Sequence, residues 1–134
     1  MGATVWISIT TSDLGQSRAF YEALGLPLDP DFTGEDSVCV AIADEVRLMV
    51  LPRDRFAAMT DKPVADPRTH ALVGLNVVRS SREEVDAAVE RGLAAGGAEP
   101  RPAEDHGGMY ARDLEDPDGN NLGLLVMGEG PGGA

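Results

Sequence analysis

Few side chains in this sequence have the chemistry for catalysis or ligation, and they are scattered. The chain carries two histidines, one cysteine, one tryptophan and two tyrosines. His70 and His106 stand apart, each in a polar stretch, where an imidazole faces solvent or bonds locally rather than sharing a metal. Cys39 sits in an apolar run with no histidine beside it to hold a thiolate, so it reads as an inert buried thiol. Ser8 and Ser37 lack a base for the same reason. Arg47 has the planar fork to grip a carboxylate or phosphate of a ligand, or else to pair with a neighbour such as Asp44 or Glu45, or with a carboxylate across a sheet. Trp6 suits stacking on a flat molecule and equally suits a core. Tyr110 has the hydroxyl to serve as a general acid or to donate to a bound oxygen, or to pack its ring and bond locally. No glycine-rich stretch follows a strand and opens a helix in the manner of a phosphate loop.

The elements that position these groups are legible from periodicity. Val5, Ile7 and Ile9 alternate with Trp6, Ser8 and Thr10, the period of a strand between two environments. A helix follows, capped by Asp13, with Leu14, Ser17, Phe20, Tyr21 and Leu24 on one stripe and Gly25 at its end. The same grammar returns after residue 73. Val73, Leu75 and Val77 alternate with Gly74, Asn76 and Val78, a capping box spans residues 81–84, and Val85, Ala88, Val89 and Leu93 form a stripe closed by Gly96 and Gly97. The repeat predicts an internal duplication of pattern, with little identity between the copies.

Composition bounds the rest. A chain of 134 residues supports one domain whose two halves share a core. The formal charge of −12 argues against nucleic acid and anionic membrane surfaces as partners. A single cysteine excludes an intrachain disulfide, and without an apolar leader or membrane-length segment the expectation is a soluble cytoplasmic protein.

Taken in order, module one covers about residues 4–52: strand, helix, an irregular segment at 26–34, and a hairpin turning at 43–45. A connector, about 53–69, includes a short helix near 55–59. Module two, about 70–127, repeats the order, with a short strand near 98–101, a polar loop at 102–108, strands at 109–114 and 122–127, and the tight turn Pro117-Asp118-Gly119 between them. Residues 128–134 form a frayed Gly/Pro-rich tail. Helices on one face of each sheet leave the other faces for a ligand. Strand parity places Trp6, Ser8 and Thr10, then Arg47, Met49 and Leu51, then Gly74, Asn76 and Val78, then Gly123, Leu125 and Met127 on those faces.

Two stretches carry a family resemblance. Residues 11–25, with Asp13-Leu14, Ser17, Phe20-Tyr21 and Leu24-Gly25, and residues 112–120, with Asp116-Pro117-Asp118-Gly119, resemble the opening and the last turn of the vicinal oxygen chelate superfamily, the glyoxalase, bleomycin-resistance and extradiol-dioxygenase group. The resemblance is nearest to small bacterial lactoylglutathione lyase-like proteins. It implies an α+β fold of two βαβββ modules whose curved mixed sheets surround a cleft, often in a dimer, and in many members a divalent metal held by His, Glu or Gln on the first and last strands. The corresponding positions here are about Trp6, Arg47, Gly74 and Gly123, none of which can ligate a metal. His70 lies four residues before Gly74, about 13 Å along an extended strand, too far to substitute.

The sequence therefore predicts a homodimer that binds a small aromatic or amphipathic molecule in a cleft lined by Trp6, Ser8, Arg47, Met49, Asn76 and Tyr110, with no metal and no other cofactor. The alternative is a lyase, isomerase or dioxygenase of the glyoxalase type, either metal-dependent through other residues or metal-free with Arg47 and Tyr110 polarising a substrate oxygen. A dimeric partner module whose cleft is filled by its own side chains is a third reading.

Overall fold

The computed structural model describes residues 3–128. β1 (Val5–Thr11) leads into α1 (Leu14–Ala23), where Asp13 accepts from the Gln16 N–H at 3.0 Å. β2 (Val38–Ala43) and β3 (Val46–Pro52) form the expected hairpin, and α2 (Arg53–Ala57) opens the connector. β4 (Gly74–Val78), α3 (Arg82–Ala94), β5 (Glu104–Asp105), β6 (Met109–Glu115) and β7 (Asn121–Met127) complete the chain. The Ser81 hydroxyl caps α3 by accepting from the Glu84 N–H, but the return arm of the expected capping box differs: the Glu84 carboxylate reaches the N–H of Ser80.

Two sheets result, one of three strands in the order β1-β3-β2 and one of four in the order β4-β7-β6-β5. β1 lies parallel to β3 and β4 parallel to β7, while the hairpins are antiparallel, so the halves share one topology. The strand expected after each helix is reduced in both. In the first half it is a single bridge, Leu28 to Val40, followed by a 3-10 turn at Pro30–Phe32. In the second, Ala98 bridges Glu115 and pairing lapses until β5, inside the stretch expected to be loop. Prolines at 27, 30, 100 and 102 account for this, since each removes a ladder donor. The predicted tail lies outside the described residues beyond Gly128. Among the described residues no helix is long and apolar enough to cross a membrane.

A single core joins the halves. Phe20 and Tyr21 of α1, Val85 and Val89 of α3, Leu48 and Val50 of β3, and Leu114, Leu122 and Leu124 of β6 and β7 are all buried in it. α1 packs on β2, β3 and α3, and α3 packs on β6 and β7, whereas no strand of one sheet runs alongside a strand of the other among the described residues. The halves are therefore coupled through their helices and one turn.

That turn, residues 116–120, is a dense polar cluster. Asp116 accepts from the Tyr21 hydroxyl at 2.9 Å, from the Asn120 side chain at 2.9 Å, and from the N–H groups of Asp118 and Asn120. Asp118 accepts from the Thr11 hydroxyl at 2.8 Å, from the Ser12 N–H and hydroxyl at 2.8 and 2.6 Å, and from Arg68 at 3.3 Å. Asn120 donates to the Thr10 carbonyl. Gly119 sits at φ 99°, and a Cβ there would come within 2.8 Å of the Pro67 carbonyl, so the connector lies directly over the turn.

The two aspartates titrate in opposite senses. Burial pushes Asp116 up. Burial also acts on Asp118, but the hydrogen bonds from Ser12 and Thr11 and the Arg68 charge outweigh it and hold its carboxyl below the usual value. Asp118 consequently contributes stability in full above about pH 4 and loses it as pH falls through its lowered native value, while Asp116 works in the reverse direction. Asp118→Ala should cost about 3 kcal/mol in denaturant unfolding at pH 7, a loss that shrinks on acidification. A cost that is independent of pH would contradict the assignment.

Both tyrosines are shifted upward, Tyr21 by burial and then by the charge of Asp116, Tyr110 by donating its hydroxyl to Asp86 and then by burial. Their contributions to stability are present below about pH 10 and are lost as pH rises through the raised native values. Phenolate absorbance should therefore be missing near pH 10 in the folded protein and appear there once denaturant is added. Full ionisation of both tyrosines near pH 10 in the native state would overturn this.

Candidate functional site

Side chains on the strands divide cleanly between the core and the two open faces. Ile7, Ile9, Leu48, Val50, Leu75, Val77, Leu122 and Leu124 belong to the core. Their strand neighbours look the other way. On the first sheet, the register sets Trp6 beside Arg47 and Ala41, and Ser8 beside Met49 and Cys39. On the second, Asn76 stands beside Gly123 and Asp113, and Val78 beside Leu125 and Ala111.

Five of the six side chains expected to line the site share these faces. Trp6 is 43% exposed, Ser8 and Met49 are half-buried, and Asn76 is exposed. Arg47 is on the face but is not a free cation: its Nε donates to Asp29 at 3.1 Å and its Nη1 to the carbonyls of Ala43 and Asp44 at 2.7 and 3.1 Å. The expectation that it grips a ligand anion is thus corrected by a carboxylate from the segment beyond β2. Thr10 and Leu51, also expected on the open face, are buried at the end of the sheet where α2 lies against β1 and β3.

Tyr110 is the second correction. It shares the parity of Leu114 and packs toward α3, with its hydroxyl on Asp86 and the Arg82 guanidinium 4.6 Å from its ring centre. Arg112, next on that row, is held by Glu99 through Nε and Nη2, by Asp86 and by Glu90, which drives its pKa further up. This side of β6 is a structural ion network. Residues 110, 112 and 114 alternate with 109, 111 and 113 along β6, so the buried Leu114 puts Tyr110 on the helix side of the sheet.

The positions that a metal would need are equally specific. The register places Asn76, rather than Gly74, opposite Gly123, and the Asn76 Oδ1 occupies the space that a Cβ at 123 would take. In the two registers Trp6 thus pairs with Arg47 and Asn76 with Gly123. An indole N–H, an engaged guanidinium, one carboxamide and a bare backbone differ from the His, Glu or Gln donors that the family resemblance implies. His70 is exposed and hydrogen-bonded to Thr69 at 2.8 Å, and His106 is exposed and bonded to Glu104 at 3.0 Å, so neither is aimed at the site. Cys39 is fully buried, and burial raises its thiol pKa, keeping it protonated.

The sequence reading missed two residues. Phe32 in the 3-10 turn meets Trp6 edge to face at 4.9 Å, and Asp29 anchors that turn. An aromatic residue inside a proline-rich acidic loop was the available signal. Two shallow grooves, one of about 450 Å³ beside Pro100, Pro102 and Tyr110 and one of about 540 Å³ between α1 and Pro27, lie away from the open faces.

The fold recurs in solved structures. The solved structure of a hypothetical protein from S. aureus is similar at a TM-score of 0.79 and 23% identity, covering 94% of each chain. A glyoxalase/bleomycin resistance protein/dioxygenase family enzyme from Burkholderia phytofirmans PsJN is similar at 0.76 and 17% identity, over 94% of this chain and 99% of that one. A lactoylglutathione lyase from Agrobacterium tumefaciens is similar at 0.62 and 20% identity, over 94% of each. No curated protein matches the sequence. At these identities the structures establish the fold. Residues 4–124 match the family itself, and the chain belongs to the glyoxalase/bleomycin resistance protein/dioxygenase superfamily.

Proposed function

We propose that the protein binds a small aromatic or amphipathic molecule, without a resident metal, in a cleft that two copies of the chain form together. The single observation that carries this reading is that the open faces are apolar and uncovered in one chain. Trp6, Val78 and Met127, which lie on these faces of β1, β4 and β7, are 43%, 58% and 56% exposed. β1 and β4 are also sheet edges with unpaired backbone groups. A second copy related by a two-fold axis covers both at once and turns the two open faces toward each other. The enzyme reading is weaker, because Arg47 and Tyr110, the groups it needs to polarise a substrate oxygen, already serve Asp29 and Asp86.

Sedimentation equilibrium at micromolar concentration should give twice the mass of the chain. Val78→Glu should shift the protein to monomer without unfolding it, because a carboxylate would then sit in the buried contact. A monomeric wild type defeats the shared cleft. Elemental analysis after incubation with zinc, nickel, manganese or iron should find far less than one ion per chain. One tightly held ion per chain, with turnover lost to a chelator, would instead establish the lyase or dioxygenase alternative.

A further inference from the structure

The open face of the first sheet is bridged from one side to the other. Trp6 projects from β1, Phe32 from the segment beyond β2, and β3 lies between those strands, at spacings of about 4.8 Å. Their rings meet edge to face at 4.9 Å, yet Trp6 and Phe32 remain 43% and 49% exposed. Such a pair offers ring surface that the described residues leave open. Ala41 and Cys39, the β2 residues on this face, are small enough to leave the side chains room to meet.

The position of Phe32 is set by one carboxylate. Asp29 Oδ1 accepts from the Asp31 N–H at 3.0 Å and so starts the turn that carries Phe32, while Oδ2 accepts from Arg47 at 3.1 Å. Arg47 stands opposite Trp6 in the β1–β3 register. The ion pair therefore ties the strand row holding Trp6 to the turn holding Phe32, with both partners largely covered, at 21% and 15% side-chain exposure. Further bonds fix the segment to β2, from the Asp29 N–H to the Cys39 carbonyl at 2.8 Å and from the Cys39 N–H to the Thr33 hydroxyl at 3.0 Å.

We propose that Trp6 and Phe32 form an aromatic jaw that holds a planar aromatic ring bearing no negative charge, and that Arg47 and Asp29 are positioning residues that set the jaw. The charge preference follows from the surroundings. Asp31, Glu35 and Asp36 flank the turn, Asp44 and Glu45 end the β2–β3 hairpin, and the Arg47 charge is spent on Asp29. A flat cation gains from the exposed ring faces and meets carboxylates, whereas a flat anion meets repulsion.

This inference rests on the small-molecule reading, and one titration separates the two. Trp6 is the sole tryptophan, so its fluorescence reports the jaw alone. Proflavine, a flat cation, should quench it saturably, and pyrene sulfonate, a flat anion, should bind much more weakly. Phe32→Ala should weaken proflavine about tenfold, and Arg47→Met and Asp29→Asn severalfold each, with Arg47→Lys recovering part of the loss. Thermal melts on the same samples show whether each variant is folded, and Asp29→Asn keeps the test open if Arg47→Met is not. Saturable quenching that none of these variants changes overturns the jaw and leaves the ligand cleft standing. Tighter binding of the anion overturns the charge preference, and failure of both dyes to bind the wild type overturns the cleft and the jaw together.

Discussion

The structure depends on two aspartates in one turn. Asp116 and Asp118 are nearly inaccessible, and every donor around them comes from the turn itself, from the β1–α1 junction, from α1 or from the connector. Buried carboxylates are tolerated only when their lone pairs are satisfied, and docking of the two halves supplies the donors that the turn itself does not. The hairpin of one half thus completes the helix start of the other, and α1 meets α3 as a result.

That docking decides which faces of the sheets stay open. With the helices enclosed in a shared core and no strand of one sheet beside a strand of the other, each open face is left without a partner among the described residues. The free edges at β1 and β4 and the uncovered apolar side chains along them are consequences of how the halves are joined.

Within the open faces, charge is neutralised almost wherever it appears. Arg47 is matched by Asp29, and Asp113 by Arg101. On the opposite side of β6, Arg112 is shared among Asp86, Glu90 and Glu99. What remains unmatched on the first sheet is aromatic surface, and on the second a lone carboxamide lying over a glycine. The chemistry offered on these faces is shape, ring faces and a few hydrogen bonds.

Local signals in the sequence determined much of the fold. Two alternating strands, two capped helices, a hairpin and the Asp-Pro-Asp-Gly turn are short-range patterns, set by side-chain period and backbone preference, and each formed close to where it was read. The prolines that reduced the strands after each helix were legible too, though not the single bridges that survived there. What only the tertiary structure decided was pairing between residues distant in sequence. Arg47 found Asp29 rather than Asp44, Tyr110 turned to Asp86 on α3, Phe32 met Trp6, and Asn76 rather than Gly74 came to face Gly123. Periodicity gives the face on which a residue lies, but the register between strands and the path of an irregular segment fix its neighbour, and both are set by packing of the whole chain.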